Sequence, residues 1–436
     1  MSTPSDLSQL TPAQKRALLK ERTRHKQDTI AADRYLFDAF PEILELEGRI
    51  EQLADWGVSN PTFLLHEGAP CQATTRVEGR ELINFYHYNY AGLGSAPEVR
   101  TAASQAVARY GCSTGGSRLA AGELPLHREL EAEIAAFTGL EDAVVFLGGH
   151  AANESTIGHL LGKGDLVLHD ALAHNSILEG ALLAGCDRRA FRHLDATDAD
   201  RILTTSRHKY RRVLIAIEGC YSAEGDMPDL SAFVELKQRH KALLFLDEAH
   251  SLGVLGQTGR GICEECSVDP AGIDILMGTL SKAFAAAGGF IAGSGRLVRY
   301  LRYTTPGFVY SVGISPPVAA AALAAFQTLR AQPERMAKLH RLAKLFRDEA
   351  TAAGLDIGRD VRGAVIPVYI DPPERCLRLV ERLRQRGVGA NPMIPPAVAP
   401  GTSRIRFFVT AAHQEQQIRQ GVATVAEELA RLKETI

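Results

Sequence analysis

The chain has 436 residues, of which 45% are hydrophobic and 23% charged, as in a globular protein with one large and one smaller domain. A formal net charge of -2 gives no electrostatic reason to expect binding to nucleic acid or to an anionic membrane surface. No apolar run approaches the roughly 18 to 20 residues that span a bilayer, and the polar N-terminus is unlike a signal peptide. We therefore expect a cytoplasmic protein without a membrane span, whose partners are small molecules or proteins.

The seven cysteines are scattered and odd in number, which indicates reduced thiols rather than a disulfide framework. Cys263 and Cys266 form one CxxC pair. No second Cys or His pair stands nearby to complete a four-ligand zinc site, so no metal is predicted.

In chain order, residues 1–80 are predicted to form an N-terminal helical lead-in segment. Its stretches "PAQKRALLKERTRH" and "FPEILELEGRIEQLADWG" are highly charged and have helical spacing. Residues 81–330 then alternate short apolar runs such as "DLVLHD", "RRVLIAIEG" and "ALLFLDEAH" with helical stretches. This alternation predicts a large α/β domain whose mainly parallel sheet is covered by helices on both faces.

Residues 331–436 have a different pattern, with "AVIPVYI", a helix at "ERCLRLVERLRQRG", "SRIRFFVT" and a final amphipathic helix. We predict a small C-terminal α+β domain there.

Polar residues follow several of the apolar runs. Ligands of open parallel sheets bind at the carboxyl ends of the strands. The turn in "FLGGHAAN" opens a helix whose free N–H groups could hold a phosphate, although glycines before helices are common. Asp247 ends a buried strand in "LLFLDEAHS" and needs a positive partner, which could equally be an arginine or a helix N-terminus. Ser222 and Lys282 follow two further runs.

Lys282 lies in "GTLSKAFAAAGG", among small uncharged residues. An isolated lysine of this kind is more often an exposed loop residue. A carboxylate and a lysine at neighbouring strand ends, with a phosphate-binding turn between them, nevertheless match pyridoxal 5′-phosphate (PLP). The lysine must be neutral to form a Schiff base, which requires a pKa below the roughly 10.4 of the free side chain. Asp247 would keep the pyridine nitrogen protonated.

Four motifs in register, "HNSILEG", "IEGCYSAEGD", "LDEAHSLGVLGQTGRG" and "GTLSKAF", resemble the α-oxoamine synthase family of fold-type I PLP enzymes. The resemblance covers residues 80 to 430. It implies a mainly parallel seven-stranded sheet, bound PLP, and a homodimer with the active site at the subunit interface.

The resemblance also implies residue roles. Lys282 resembles the lysine that binds the cofactor, Asp247 the partner of the pyridine nitrogen, and His174 the histidine stacked on the ring. The other expected cofactor contacts are His250 and Ser222 near the phenolic oxygen, and Thr279, Gly149 and His150 at the phosphate. Arg406 corresponds to the arginine that binds the substrate carboxylate, with Arg404 as the alternative. Tyr88 stands where relatives that use short acyl chains usually have Asn.

The implied reaction is a decarboxylative condensation of an amino acid with an acyl thioester. His174 would bind the substrate carboxylate or assist the thioester carbonyl. The N-terminal segment "LSQLTPAQKRALLKERTRHKQ" resembles helical linkers that flank carrier-protein domains, so the donor could be an acyl carrier protein instead of acyl-CoA. A helix that packs on the dimer explains the segment equally well.

The sequence leaves two other interpretations of the function open. Another fold-type I enzyme, such as an aminotransferase, shares the lysine and the aspartate but lacks "DEAHSLGVLGQTGRG". A non-catalytic partner subunit of a heterodimeric synthase generally lacks the lysine, so Lys282 argues against that interpretation.

Overall fold

A computed structural model describes residues 11–28 and 30–433. By its contacts the chain divides into two compact units, Met1–Thr62 and Phe63–Ile436. No helix among the described residues is long and apolar enough to cross a membrane. The start of the linker-like stretch, before residue 11, lies outside the described residues.

The described residues of the first unit include the α-helices α1 (Pro12–Asp28) and α2 (Pro41–Asp55), with two short 3-10 helices between them. Proline and Glu42 in the first turn of α2 suit a helix start, because proline lacks the unpaired N–H and a carboxylate complements the helix dipole. Leu44, Leu46 and Ile50 of α2 are exposed.

The strands of the second unit lie in three sheets. They are β1 (His66–Glu67), β2 (Thr74–Val77), β3 (Arg80–Asn84), β4 (Asp142–Phe146), β5 (Leu166–Asp170), β6 (Asp187–Phe191), β7 (Val213–Glu218), β8 (Leu243–Asp247), β9 (Ile275–Thr279), β10 (Gly289–Gly293), β11 (Val365–Tyr369), β12 (Val388–Gly389), β13 (Asn391–Met393) and β14 (Arg404–Phe408).

The α-helices of the second unit lie mostly between these strands in the sequence. They are α3 (Pro97–Tyr110), α4 (Pro125–Thr138), α5 (Gly149–Leu160), α6 (Asn175–Ala184), α7 (Ala196–Ser206), α8 (Leu230–His240), α9 (Ile262–Glu265), α10 (Gly295–Thr304), α11 (Pro306–Val309), α12 (Pro316–Ala331), α13 (Glu334–Ala352), α14 (Pro373–Gln385) and α15 (Glu415–Lys433).

The large sheet has seven strands in the order β4-β10-β9-β8-β7-β5-β6. Strand β10 is antiparallel to both of its neighbours, and the other strands run parallel to one another. The prediction of a mainly parallel seven-stranded sheet is confirmed.

Both faces of this sheet are buried, which explains why its strands read as continuous apolar runs. In β7, Leu214 and Ala216 belong to the core that includes residues of α5 and α6. Ile215 and Ile217 belong to the opposite core, which includes residues of α7 and α8. Alternate residues of one strand therefore face two helical layers.

The C-terminal part contains an antiparallel sheet, β11-β14-β13, together with helices α13, α14 and α15. Strand β12 leaves this region and pairs in parallel with β3, extending the small sheet β1-β2-β3. Strands β1 and β2 lie inside the range 1–80 that the sequence assigns to a helical segment, whose described helices end at Asp55. The boundaries at residues 80 and 330 stay predictions.

Candidate active site

The carboxyl ends of the parallel strands meet around one cavity of about 120 Å³. Strands β7, β8 and β9 bring Glu218, Asp247 and Thr279 to it, because neighbouring parallel strands end at the same edge of the sheet. The lining residues are Gly149, His150, Asn153, His174, Ser176, Glu218, Asp247, Ala249, His250, Met277, Thr279, Ser281 and Lys282.

Lys282 follows β9 by three residues, and its Nζ lies 5.6 Å from the centre of the Tyr88 ring. Burial lowers the pKa of the Lys282 amine, and the positive charge of Arg406 acts in the same direction. The carboxylates of Asp247 and Glu218 oppose this pKa shift. The site therefore favours the neutral amine relative to a lysine in water.

Asp247 is buried at the end of β8, and both of its oxygens accept hydrogen bonds. Oδ1 accepts from the backbone N–H of Ala249 at 2.9 Å, and Oδ2 accepts from Asn153 Nδ2 at 2.8 Å. Glu218 is the residue in register with Asp247 on β7. Burial raises the pKa of Glu218 well above its ordinary value, and the nearby Asp247 charge adds to this shift.

The turn after β4 brings backbone very close to the neighbouring strands. A Cβ on Gly149 would lie 3.1 Å from Thr279 Oγ1, and a Cβ on Gly289 would lie 2.6 Å from Gly149 Cα. Only glycines allow this approach, which places the first turn of α5 beside the Thr279 hydroxyl. The first N–H groups of a helix have no partner within it, so they can bind an anion there.

His174 caps the N-terminus of α6 and lines the cavity. Its backbone N–H donates to Glu218 Oε1 at 2.8 Å. The His150 ring centre lies 6.3 Å from that of His174. The carboxylate at the end of β7 thus fixes the backbone from which the His174 imidazole extends.

His250 is buried, and its Nδ1 lies 2.7 Å from the Tyr90 hydroxyl. Burial holds the pKa of His250 well below its ordinary value, and the charges of Lys282 and Arg406 act in the same direction. The ring is therefore neutral at physiological pH and serves as a fixed hydrogen-bonding group.

A second cavity of about 1090 Å³ shares His174 with the first. Its wall includes the loop from Met393 to Arg404, with prolines at 395, 396 and 400, and both predicted substrate arginines. Ser222 lines this larger cavity and does not line the smaller one.

The two arginines of β14 differ in how they are bonded. Arg404 donates to Glu224 Oε1 at 2.7 Å and to the Tyr369 hydroxyl at 3.0 Å. Arg406 donates to the Ser222 carbonyl oxygen at 3.0 Å, and its buried Nε has no partner among the described residues. Among the described residues Arg406 is therefore the less fully bonded of the two arginines.

The structure thus brings Lys282, Asp247, His174, His250, Thr279, Gly149 and His150 to one cavity, and Arg404, Arg406 and Ser222 to the adjoining one. Tyr88 lines neither cavity, but the centre of its ring lies 5.6 Å from Lys282 Nζ. The sequence analysis missed Asn153, Ser176 and Glu218. Glu218 ends an apolar strand, as Asp247 does, and this signal could have identified it. Asn153 and Ser176 have no comparable local signal.

The chain is similar to known proteins over most of its length. The model of the family "Aminotransferase class I and II" matches residues 80–425. The 8-amino-7-oxononanoate synthase of Geobacter sulfurreducens is 38% identical over 387 residues, which are 87% of this chain and 97% of the relative. The enzyme of the same name from Anaeromyxobacter dehalogenans is 38% identical over 351 residues, which are 80% of this chain and 87% of the relative.

Solved structures give the same result. Serine palmitoyltransferase of Sphingomonas wittichii superposes with a TM-score of 0.86 at 30% identity, covering 92% of this chain and 99% of the other. The chain belongs to the α-oxoamine synthase family of PLP enzymes. A further serine palmitoyltransferase, solved with PLP, has a TM-score of 0.86 at 28% identity and covers 92% of this chain and all of its own.

The residues of this α-oxoamine synthase fit PLP. The small cavity offers an amine with a lowered pKa, a buried carboxylate, and a glycine turn whose approach to Thr279 a Cβ would block. The chain is a PLP-dependent acyltransferase, and its activity is the decarboxylative condensation of an amino acid with an acyl thioester.

Proposed function

We propose that the enzyme condenses a small amino acid with an acyl thioester to give an α-amino ketone, carbon dioxide and a free thiol. The observation that carries this proposal is the Lys282 amine, with its lowered pKa, beside the buried Asp247 carboxylate in one cavity. That pair suits a reaction in which a proton leaves the α-carbon and the electron pair is withdrawn into a ring.

PLP, when bound, supplies the electron-withdrawing ring that stabilises negative charge at the α-carbon. Lys282 holds the cofactor through its amine and then, as the neutral base, takes the α-proton. Asp247 keeps a proton on the ring nitrogen, because a buried carboxylate favours a positive partner. The two bonds from Asn153 and Ala249 hold that carboxylate in a single orientation.

We assign the remaining cofactor contacts to the walls of the small cavity. Gly149, His150 and Thr279 would hold the phosphate at the start of α5, where the helix dipole favours an anion. His250 would contact the phenolic oxygen. Ser222 stays a predicted contact of the same group, although it lines the larger cavity.

Substrate groups would bind where the two cavities meet. Arg406 lines the larger cavity, is less fully bonded than Arg404 among the described residues, and would bind the substrate carboxylate. His174 lines both cavities and would donate a hydrogen bond to the substrate carboxylate or to the thioester carbonyl as negative charge develops. Tyr88, beside Lys282, would limit the space for the amino acid side chain.

We further propose that the enzyme is a homodimer located in the cytoplasm and that an acyl carrier protein can deliver the acyl group. Large exposed aromatic residues support a second copy, since Tyr303 is 67% and Tyr310 86% exposed in the single chain. Helix α1 contains six Lys or Arg residues against two acidic ones, which suits an acidic partner. Light scattering of the purified holoenzyme should give twice the mass of one chain.

The deciding experiment mixes PLP-loaded enzyme with each small amino acid in turn and with an acyl-CoA or an acyl carrier protein. Condensation should release carbon dioxide and free thiol in equal amounts, and the productive amino acid should change the visible absorbance of the cofactor. Release of a keto acid without carbon dioxide would instead identify an aminotransferase. A protein that stays colourless with added PLP would point to a non-catalytic subunit.

A further inference from the structure

A continuous chain of hydrogen bonds joins Asp247 to the His174 ring through two residues that no motif singles out. Asn153 Nδ2 donates to Asp247 Oδ2 at 2.8 Å and to Ser176 Oγ at 2.8 Å. Ser176 Oγ lies 2.7 Å from His174 Nδ1. Asn153 and Ser176 are fully buried, so no solvent competes for these bonds.

The donors and acceptors of this chain allow Ser176 to donate to His174. A carboxylate only accepts, so the atom of Asn153 that faces Asp247 is its amide nitrogen. That nitrogen uses its second hydrogen on Ser176 Oγ. The Ser176 hydroxyl is therefore free to donate its own hydrogen to His174 Nδ1.

A second, longer bond supports the same tautomer. The backbone N–H of Ser176 donates to His174 Nδ1 at 3.3 Å, and a backbone N–H cannot accept. His174 Nδ1 thus carries no proton. Burial lowers the pKa of His174, and the charges of Lys282 and His150 act in the same direction, while Asp247 opposes them. A neutral ring with an unprotonated Nδ1 has its hydrogen on Nε2.

The packing of α5 against α6 makes this chain possible. A Cβ on Gly180 of α6 would lie 2.9 Å from Ile157 Cβ and 3.2 Å from the Asn153 carbonyl oxygen. A Cβ on Gly158 of α5 would lie 2.7 Å from Leu183 Cδ2. Glycine at both positions lets the helices approach closely enough for Asn153 to reach Ser176.

The Asn153 amide also lowers the stability of the fold, and packing alone gives no reason for an amide at this position. Its Oδ1 is buried without a hydrogen-bond partner among the described residues. An unsatisfied buried acceptor costs about 1–3 kcal/mol. A leucine of similar size would avoid that cost but could not join the Asp247 carboxylate to the serine.

We propose that Asn153 and Ser176 are positioning residues of the condensation, which hold His174 as the tautomer with its hydrogen on Nε2. His174 then presents a hydrogen-bond donor to the substrate without needing a positive charge. This inference rests on the proposed function, in which negative charge develops on a substrate oxygen near His174. The wrong tautomer would present a lone pair to that oxygen and repel it.

The first test reads the tautomer directly in the PLP-loaded wild-type enzyme. After labelling with ¹⁵N-histidine, the His174 signals are identified by their loss in His174→Asn. Nδ1 should resonate as an unprotonated nitrogen and Nε2 as a protonated one. A protonated Nδ1 would overturn the inference, whatever reaction the enzyme catalyses.

The second test measures kcat and KM in Ser176→Ala. Loss of the hydroxyl bond should lower kcat about fivefold, since a buried hydrogen bond contributes about 1 kcal/mol and about 1.36 kcal/mol is tenfold in rate. The KM of the amino acid should not change. Ser206→Ala is the matched control, because Ser206 is equally buried and its hydroxyl donates to the Ile202 carbonyl at 2.6 Å, outside both cavities.

A double-mutant cycle separates positioning from a general structural effect. His174→Asn keeps a good helix N-cap, so α6 should remain intact. In that background Ser176→Ala should lower kcat no further, because the serine acts only through the imidazole. A full additional loss of about fivefold, or an unchanged kcat in Ser176→Ala alone, would refute the inference. Absence of carbon dioxide release by the wild-type enzyme would refute the proposed function instead.

Discussion

The two cavities that share His174 differ in how far their polar groups are already bonded to one another. In the small cavity, the carboxylate of Asp247 has a partner on each oxygen, and Asn153 uses both amide hydrogens. In the large cavity, the Arg406 guanidinium donates to the Ser222 carbonyl oxygen, and a proline-containing loop forms part of the wall. The small cavity thus fixes the orientation of its reacting groups, while the large one retains capacity to bind a ligand.

The largest expected effect comes from the small cavity. Lys282→Ala should abolish condensation, because it removes both the amine that holds the cofactor and the base that takes the α-proton. Carbon dioxide release is the measurement, with circular dichroism to show that the fold is kept. Lys338→Ala is the matched control, since that lysine lines neither cavity. Normal turnover in Lys282→Ala would contradict the assignment.

Asp247→Asn tests the partner of that amine. An amide cannot hold a proton on the ring nitrogen, so kcat should fall by about ten- to a hundredfold, as expected for loss of a charge-assisted bond worth about 1.5–3 kcal/mol. Asp348→Asn, which removes one exposed carboxylate paired with Lys344, is the control. Equal kcat values for Asp247→Asn and the wild type would show that the carboxylate does not act on the ring.

The next effects concern the large cavity, where substitutions of the two arginines of β14 should have different consequences. Arg406→Gln should raise the KM of the amino acid about tenfold without changing stability. Arg404→Gln should instead lower the free energy of unfolding by about 1–3 kcal/mol, because it leaves the partly buried Glu224 without its charged partner. Steady-state kinetics and denaturant unfolding of both variants measure this. The reverse pattern would make Arg404 the substrate ligand.

The remaining effect is a pH dependence in the wall of the large cavity. His193 lies between Asp170 at 2.8 Å and Asp226 at 3.0 Å. Burial alone would lower the pKa of His193, but bonds to both carboxylates outweigh it and raise the pKa to about 10. A raised pKa stabilises the fold fully below the unfolded value of about 6.5, and this stability is lost as pH rises towards 10.

The free energy of unfolding, measured with denaturant, should therefore fall as the pH rises from about 6 to about 10. The slope attributable to one proton is at most about 1.4 kcal/mol per pH unit. His193→Gln should flatten this slope, whereas His208→Gln, outside both cavities, should leave it unchanged. An identical slope in His193→Gln and the wild type would exclude a pKa shift at His193.

The sequence predicts the strand ends well, because one rule governs them all. Lys282, Asp247 and Thr279 each follow or end an apolar run, and parallel strands end at one edge of the sheet. Asn153 and Ser176 escape this rule. Each is one polar residue in a helix, and its role depends on how closely α5 and α6 pack, a distance that no local pattern encodes.

The arginines of β14 show a second limit. Their spacing of two residues places both on one face of the strand, but it cannot say which of them is already bonded. That depends on Glu224 and Tyr369, which lie far away in sequence. Likewise, β12 pairs with β3, whose residues lie about 300 positions earlier in the chain. No local sequence pattern indicates this pairing of β3 with the C-terminal part.

The position of β10 has a consequence for the order of assembly. It lies between β4, which carries the glycine turn, and β9, which precedes Lys282, yet it comes after both in the chain. A nascent polypeptide that has emerged only as far as Lys282 lacks the strand that joins β4 to β9 in the sheet. Binding of the coloured vitamin B6 group therefore reports that the central sheet has closed, and it offers an optical signal for following maturation on the ribosome.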